Sequence, residues 1–166
     1  MMTLRAVKFA AAIVLALGAA ACSSNKDGMA DGAGGYGAGG AGTPGSAQDF
    51  IVNVGDRVFF ETDATDLTPT AVATLDKQAQ WLSRYANYSF VVEGHADERG
   101  TREYNFSLSA RRAQAVHDYL VSRGIQASRV RTVSYGKERP VAVCNDISCW
   151  SQNRRAVTVL DTRAGS

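Results

Sequence analysis

Between Glu93 and Ala115 the chain reads EGHADERGTREYNFSLSARRAQA, which sets an acid, an amide and a guanidinium where local geometry can bring them together. Gly94-His95-Ala96-Asp97 closes a strand, Glu98-Arg99-Gly100 turns the chain, and a helix over 101–123 follows. Each helical residue advances by about 100°, so Asn105 and Arg112 are nearly eclipsed, with Leu108 and Ser109 between them on that face. Val116 continues the stripe, while Arg111, Gln114 and Asp118 point outward. An arginine on a core-facing stripe is costly unless a carboxylate or a ligand meets it. Asp97, at the strand end, is the natural partner. Such a couple is either a structural ion pair or two halves of a polar binding site, and geometry alone leaves both open.

Covalent chemistry finds less support. The chain has three cysteines and two histidines. A nucleophilic mechanism would pair Cys144 or Cys149 with His95, yet neither cysteine sits in a recognisable nucleophile setting, and His117 falls on a helix stripe with no motif around it. His95 is expected to hydrogen-bond within the strand-end turn. No His/Cys cluster has metal-ligand spacing. No catalytic residue, metal or cofactor is therefore assigned. The odd cysteine count resolves if Cys22 is modified and Cys144 pairs with Cys149. A bridge closing so short a loop is worth about 2–3 kcal/mol where disulfides persist. Trp150, beside it, reads as loop packing.

The elements that must position these residues follow from periodicity. FIVNVGDRVFF (50–60) is rich in β-branched and aromatic residues and reads as one or two short strands broken at Gly55-Asp56. Thr68-Pro69 is a cap and first-turn pair, and Val72, Leu75, Ala79 and Leu82 behind it make 69–86 an amphipathic helix. Further strands are expected at 88–95, 129–135 and 155–160, with Gly124 as the C-cap of the long helix. Strands alternating with helices in so short a chain imply an α+β sandwich: a mixed sheet of about four strands with the helices on one face. Ligands gather at the carboxyl ends of such strands, where side-chain cover is thin.

The pattern Asn-x-x-Leu-Ser-x-x-Arg-Ala, met by Asn105, Leu108, Ser109, Arg112 and Ala113, resembles the OmpA-like peptidoglycan-binding domain family. The preceding EGHADERGT, SYGKERP at 134–140 and NRRAV at 153–157 agree with it in order, so the resemblance covers about residues 51–160. It implies a βαβαβ-type fold and a site for the meso-diaminopimelate of uncrosslinked peptidoglycan stem peptides. Asp97 would receive the ligand's ammonium and Arg112 its carboxylate, with Asn105 and nearby backbone amides fixing orientation. Glu98, Thr101 and Leu108 belong to the same implied site. The far end of diaminopimelate is an amino-acid zwitterion, and a guanidinium fork can hold its carboxylate at two points. Phe60 and Asp63 stand where the family carries an aromatic-acidic strand end. Glu61 and Thr62 depart from the usual residues there, so Phe60 and Asp63 are either ligand contacts or core and turn residues. Of Arg154 and Arg155, which begin the last strand, one is expected in an ion-pair network and neither is assigned to ligand. Two other classes stay in view: a periplasmic protein-interaction module, and a cysteine-dependent peptidoglycan-modifying enzyme.

The rest of the chain describes delivery. Arg5 and Lys8 precede an apolar run from Phe9 to Ala21, which is shorter than the roughly 20 residues a membrane-spanning helix needs. Residues 1–21 read as a signal peptide. Ala19-Ala20-Ala21-Cys22 resembles a bacterial lipobox, with Ala19 in place of the usual leucine, which makes Cys22 the lipid acceptor. Ser23 after it favours, by the same resemblance, the outer membrane. Residues 22–48 read as a tether, because nine of the chain's sixteen glycines fall between Gly28 and Gly45. That leaves 49–166 as the domain, facing the periplasm. From residue 46 onward fifteen Lys/Arg stand against fourteen Asp/Glu, too even a balance for a protein that binds nucleic acid through counterion release. The expected partners are peptidoglycan, the outer membrane through the lipid and, by resemblance alone, TolB and the other Tol proteins.

Overall fold

The structure, a computed structural model, describes residues 42–161. The stretch read as a signal peptide, Cys22 and most of the stretch read as a tether lie outside them. A short helix α1 (Ala47–Asp49) runs into a π-helical turn (Phe50–Val54), followed by β1 (Arg57–Phe59), α2 (Pro69–Arg84) and β2 (Phe90–Gly94). Then come α3 (Arg102–Ser122), a 3-10 turn (Ala127–Arg129), β3 (Val130–Ser134), α4 (Ile147–Asn153) and β4 (Arg155–Leu160). The sheet order is β1-β4-β2-β3, with β2 and β3 parallel and the other two pairings antiparallel. The α+β reading with a four-stranded mixed sheet holds.

Period-two burial explains the layering. Val58, Phe90, Val92 and Ala156 point to one face, where they join Ala71, Leu75, Ala79 and Leu82 of α2 and Ala113, Val116 and Leu120 of α3 in one apolar cluster. Thr68 caps α2 by accepting from the Ala71 amide at 3.1 Å, and Thr101 caps α3 by accepting from the Tyr104 amide at 3.2 Å. At the other end of α3, Gly124 adopts φ 93° and Ile125 N–H donates to the Leu120 carbonyl, which satisfies a carbonyl of the last turn.

One expected strand is absent. Phe50–Val54 coils as a π-helical turn, and only Arg57–Phe59 of the 50–60 stretch pairs in the sheet. Phe50 is completely buried against Trp81, with ring centroids 4.9 Å apart, while Ile51 and Val52 face solvent. Trp81 Nε1 donates to Asp49 at 2.8 Å and fixes the start of the turn. Burial of a single aromatic anchor outweighs the β preference of its neighbours. Residues at the end of the stretch read as tether are also folded onto the domain. Tyr88 Oη donates to the Gly45 carbonyl at 2.9 Å, and Ser46 caps α1.

Candidate functional site

Strand directions create the site. β2 and β3 are parallel, and β1 is antiparallel to β4, so β1, β2 and β3 all stop at the sheet edge where β4 begins. Their exits, residues 60–64 and 95–100, meet the first turns of α3 there. The close approach of β2 to α3 depends on Gly94, because a Cβ at that position would meet the Ser109 carbonyl oxygen at 1.9 Å. Ser109 is buried and ties α3 to the turn after β3. Its Oγ donates to the Asn105 carbonyl at 2.8 Å and accepts from Gly136 N–H at 2.9 Å.

Arg112 is fully buried, the largest side chain among the described residues to be so. The expected Asp97–Arg112 pair does not form. Arg112 instead donates from Nε to the Ala64 carbonyl at 2.9 Å, from Nη1 to the His95 carbonyl at 2.9 Å and from Nη2 to the Glu61 carbonyl at 3.1 Å. Three of the guanidinium's five N–H groups are thus met by backbone past the ends of β1 and β2, and two take part in none of these bonds. Burial and then the like charge of Arg154 pull the guanidinium down to about 10, with Asp97 and Asp63 acting in the opposite sense. It stays charged at neutral pH.

Asp97 is bonded elsewhere. Arg99 holds it through Nε at 3.1 Å, Nη2 at 2.7 Å and its own backbone N–H at 3.1 Å, and Arg154 Nη1 stands 3.5 Å away. Burial pushes the Asp97 carboxyl up, but these cationic donors outweigh it and hold the group below the ordinary carboxylate range. Arg154 is therefore the strand-leading arginine in the ion-pair network, also donating to the Phe60 carbonyl at 3.0 Å. Arg155 donates to the Asn153 and Arg139 carbonyls.

Asp97 and Arg112 line a hollow of about 250 Å³, together with Asp63, Asn105 and Leu108, all named from sequence. Asn105 Nδ2 donates to the Arg99 carbonyl at 2.7 Å, which ties the strand-end turn to α3. Asp63 sits at φ 58° and accepts a hydrogen bond from Tyr104 Oη. The other three expected contacts fall outside the hollow. Phe60 is buried with its ring centroid 5.1 Å from the Arg112 guanidinium, so it packs against that residue rather than lining the cavity. Thr101 is spent on the helix cap. Glu98 turns to Trp150, accepting from Nε1 at 2.7 Å. Sequence reasoning passed over Thr62, Arg99, Gly100 and Tyr104, which complete the wall. Arg99 was the most legible of them: a cation two residues past an aspartate in a turn is within reach of its carboxylate.

His95 does not bond within its turn. Both ring nitrogens are buried without a hydrogen-bond partner, and the ring stacks on Tyr135 at 5.5 Å. Burial, with Arg155 and Arg139 nearby, pushes it down to about 4, although Glu93 stands 3.7 Å from Nε2. The imidazole is neutral at physiological pH. Cys144 and Cys149 are joined in a disulfide, with Cα atoms 5.7 Å apart. Neither is a free nucleophile in this state, and no metal-binding cluster occurs among the described residues.

The OmpA family pattern matches residues 59–154, from the end of β1 to the start of β4. The chain belongs to the OmpA family. Within this OmpA family, the chain is 67% identical over 150 residues to the peptidoglycan-associated lipoprotein of Rhizobium meliloti (strain 1021), covering 90% of this chain and 85% of that protein. Its identity to the peptidoglycan-associated lipoprotein of Pseudomonas aeruginosa is 44% over 155 residues, covering 87% and 92%. The crystal structure of the peptidoglycan-associated lipoprotein from Burkholderia pseudomallei superposes with a TM-score of 0.62 at 38% identity, over 64% of this chain and 90% of that one. The C-terminal domain of Helicobacter pylori MotB shares the fold, with a TM-score of 0.61 at 21% identity, over 66% of this chain and 86% of that one.

Proposed function

We propose that this OmpA-family domain is the wall-gripping end of an outer-membrane lipoprotein, and that its hollow takes the meso-diaminopimelate of an uncrosslinked stem peptide. Peptidoglycan binding within a lipoprotein of the cell envelope follows from the family and from relatives that carry that name along nearly their whole length. The domain is a binding module and not an enzyme. One observation carries the finer reading: a buried guanidinium with two unspent donors shares a 250 Å³ hollow with an ionised carboxylate, and the two are not closed on each other. Opposite charges held apart across a small cavity match the two charges of an amino-acid zwitterion.

In this reading residues 1–21 direct export, Cys22 takes the lipid, and the glycine-rich segment lets the domain reach the wall while the lipid stays in the outer membrane. A tethered binder gains effective concentration without further contacts. The link joins membrane to wall as part of the Tol-Pal system, with TolB as a competing partner for the same surface and support of constriction at division as the outcome. Resemblance is the whole support for the Tol proteins.

Sedimentation with purified sacculi tests the site. Wild-type protein is expected in the pellet and the Asp97→Ala variant in the supernatant. Equal sedimentation of the two would remove Asp97 from the site. Calorimetry with a tripeptide ending in meso-diaminopimelate gives the same comparison without the polymer.

A further inference from the structure

An ionised carboxylate has about four lone-pair positions. In Asp97 all of them are taken: Oδ1 by Arg99 N–H and Nε, Oδ2 by Arg99 Nη2 and Arg154 Nη1. An ammonium arriving from a ligand finds no vacant acceptor and has to displace a donor. The donors differ in how readily they yield. Arg154 is buried and fastened to the Phe60 carbonyl, and the Arg99 amide belongs to the turn itself. The Arg99 side chain is 40% exposed and can return to water without orphaning a buried group. It is held in place from its other side as well. The guanidinium lies 4.3 Å from the ring centroid of Trp150, whose Nε1 is fixed on Glu98 and whose neighbour Cys149 is bridged to Cys144.

We infer that Arg99 is a built-in competitor for the ligand ammonium, laid across Asp97 and steadied by Trp150, and that its displacement limits the affinity of the site. The inference rests on the reading of Asp97 as the ammonium seat. Arg99 is part of the same chain and competes at a high effective concentration, so a simple amine gains little by replacing it. A ligand whose carboxylate is held at the same time by Arg112 recovers the difference. The competitor thereby weakens both kinds of ligand alike, and the Arg112 contact supplies the preference for an ammonium beside a carboxylate.

The test is calorimetry on the full-length chain in detergent micelles, using two stem tripeptides, one ending in meso-diaminopimelate and one in lysine. Arg99→Ala is expected to bind the diaminopimelate peptide about three- to fivefold tighter, the range for loss of a partly exposed ion pair. The lysine peptide, whose ammonium displaces the same side chain, is expected to gain by no more than that factor, since the displacement cost is common to both. Arg99→Lys keeps a charge but loses the two-point contact, and lands between wild type and Arg99→Ala. Unchanged or weaker binding by Arg99→Ala would overturn the inference, because Arg99 would then orient Asp97 rather than compete for it. An Asp97→Asn variant binding as tightly as wild type would instead sink the reading of Asp97 itself, whatever the Arg99 variants do.

Discussion

Helices α2 and α3 cover the same face of the sheet and both begin at a capping threonine, but the stripes they bury differ in kind. α2 buries Ala71, Leu75, Ala79, Trp81 and Leu82, with one buried amide, Gln78, answered at both ends by the Gly55 carbonyl and the Thr158 hydroxyl. α3 buries Ala113, Val116 and Leu120 in its second half and only Leu108 among apolar residues in its first. Its first half buries Asn105, Ser109 and Arg112, beside the sheet edge where three strands stop. At that edge strand exits present carbonyls that no ladder partner satisfies, and a helix placed there can hold a cation without a carboxylate at its side. On the proposed reading the first half of α3 serves recognition and α2 packing.

The largest expected effect falls on Arg112. Its replacement by alanine orphans three carbonyls at once and is expected to cost about 3–5 kcal/mol in urea denaturation. Stem-peptide binding should be lost with it. Leu82→Ala on α2 is expected to cost about 3 kcal/mol through its cavity, and calorimetry on the folded protein should show wild-type affinity. If Leu82→Ala weakened binding as much as Arg112→Ala, the division between the helices would fail.

The pH dependence comes next. His95 titrates near 6.5 when unfolded and about 4 when folded, so between those values the unfolded chain binds the extra proton. Stability therefore falls as pH drops through that window and levels off below it, by about 3 kcal/mol. Urea midpoints from pH 7.5 to 4 would show the slope, and His95→Phe should flatten it. The smallest effects belong to the caps. Thr68→Ala and Thr101→Ala are each expected to lose about 1 kcal/mol. Thr101→Ala should leave stem-peptide affinity untouched, since its hydroxyl is spent on Tyr104 N–H; a marked loss would return Thr101 to the binding surface.

Much of the framework was legible because its causes are local. Helical spacing placed Asn105, Leu108, Ser109 and Arg112 on one buried face, and the Thr-Pro start marked the cap of α2, while the Thr101 cap of α3 was read instead as a ligand contact. The strands expected at 88–95, 129–135 and 155–160 form at 90–94, 130–134 and 155–160. The 50–60 stretch misled for a non-local reason: burial of Phe50 against Trp81, thirty residues later in the chain, decides its conformation.

What the sequence determined by itself was the α+β framework, the polar stripe of α3 and the acid at the strand end, each set by neighbours a few residues away. Only the tertiary structure decided who meets whom. Arg112 finds carbonyls 17, 48 and 51 residues distant, and Asp97 is taken by Arg99 beside it and by Arg154 from 57 residues away. A backbone carbonyl looks the same at every residue. No pattern of side chains can announce which of them will stand at the end of a strand, within reach of a buried cation.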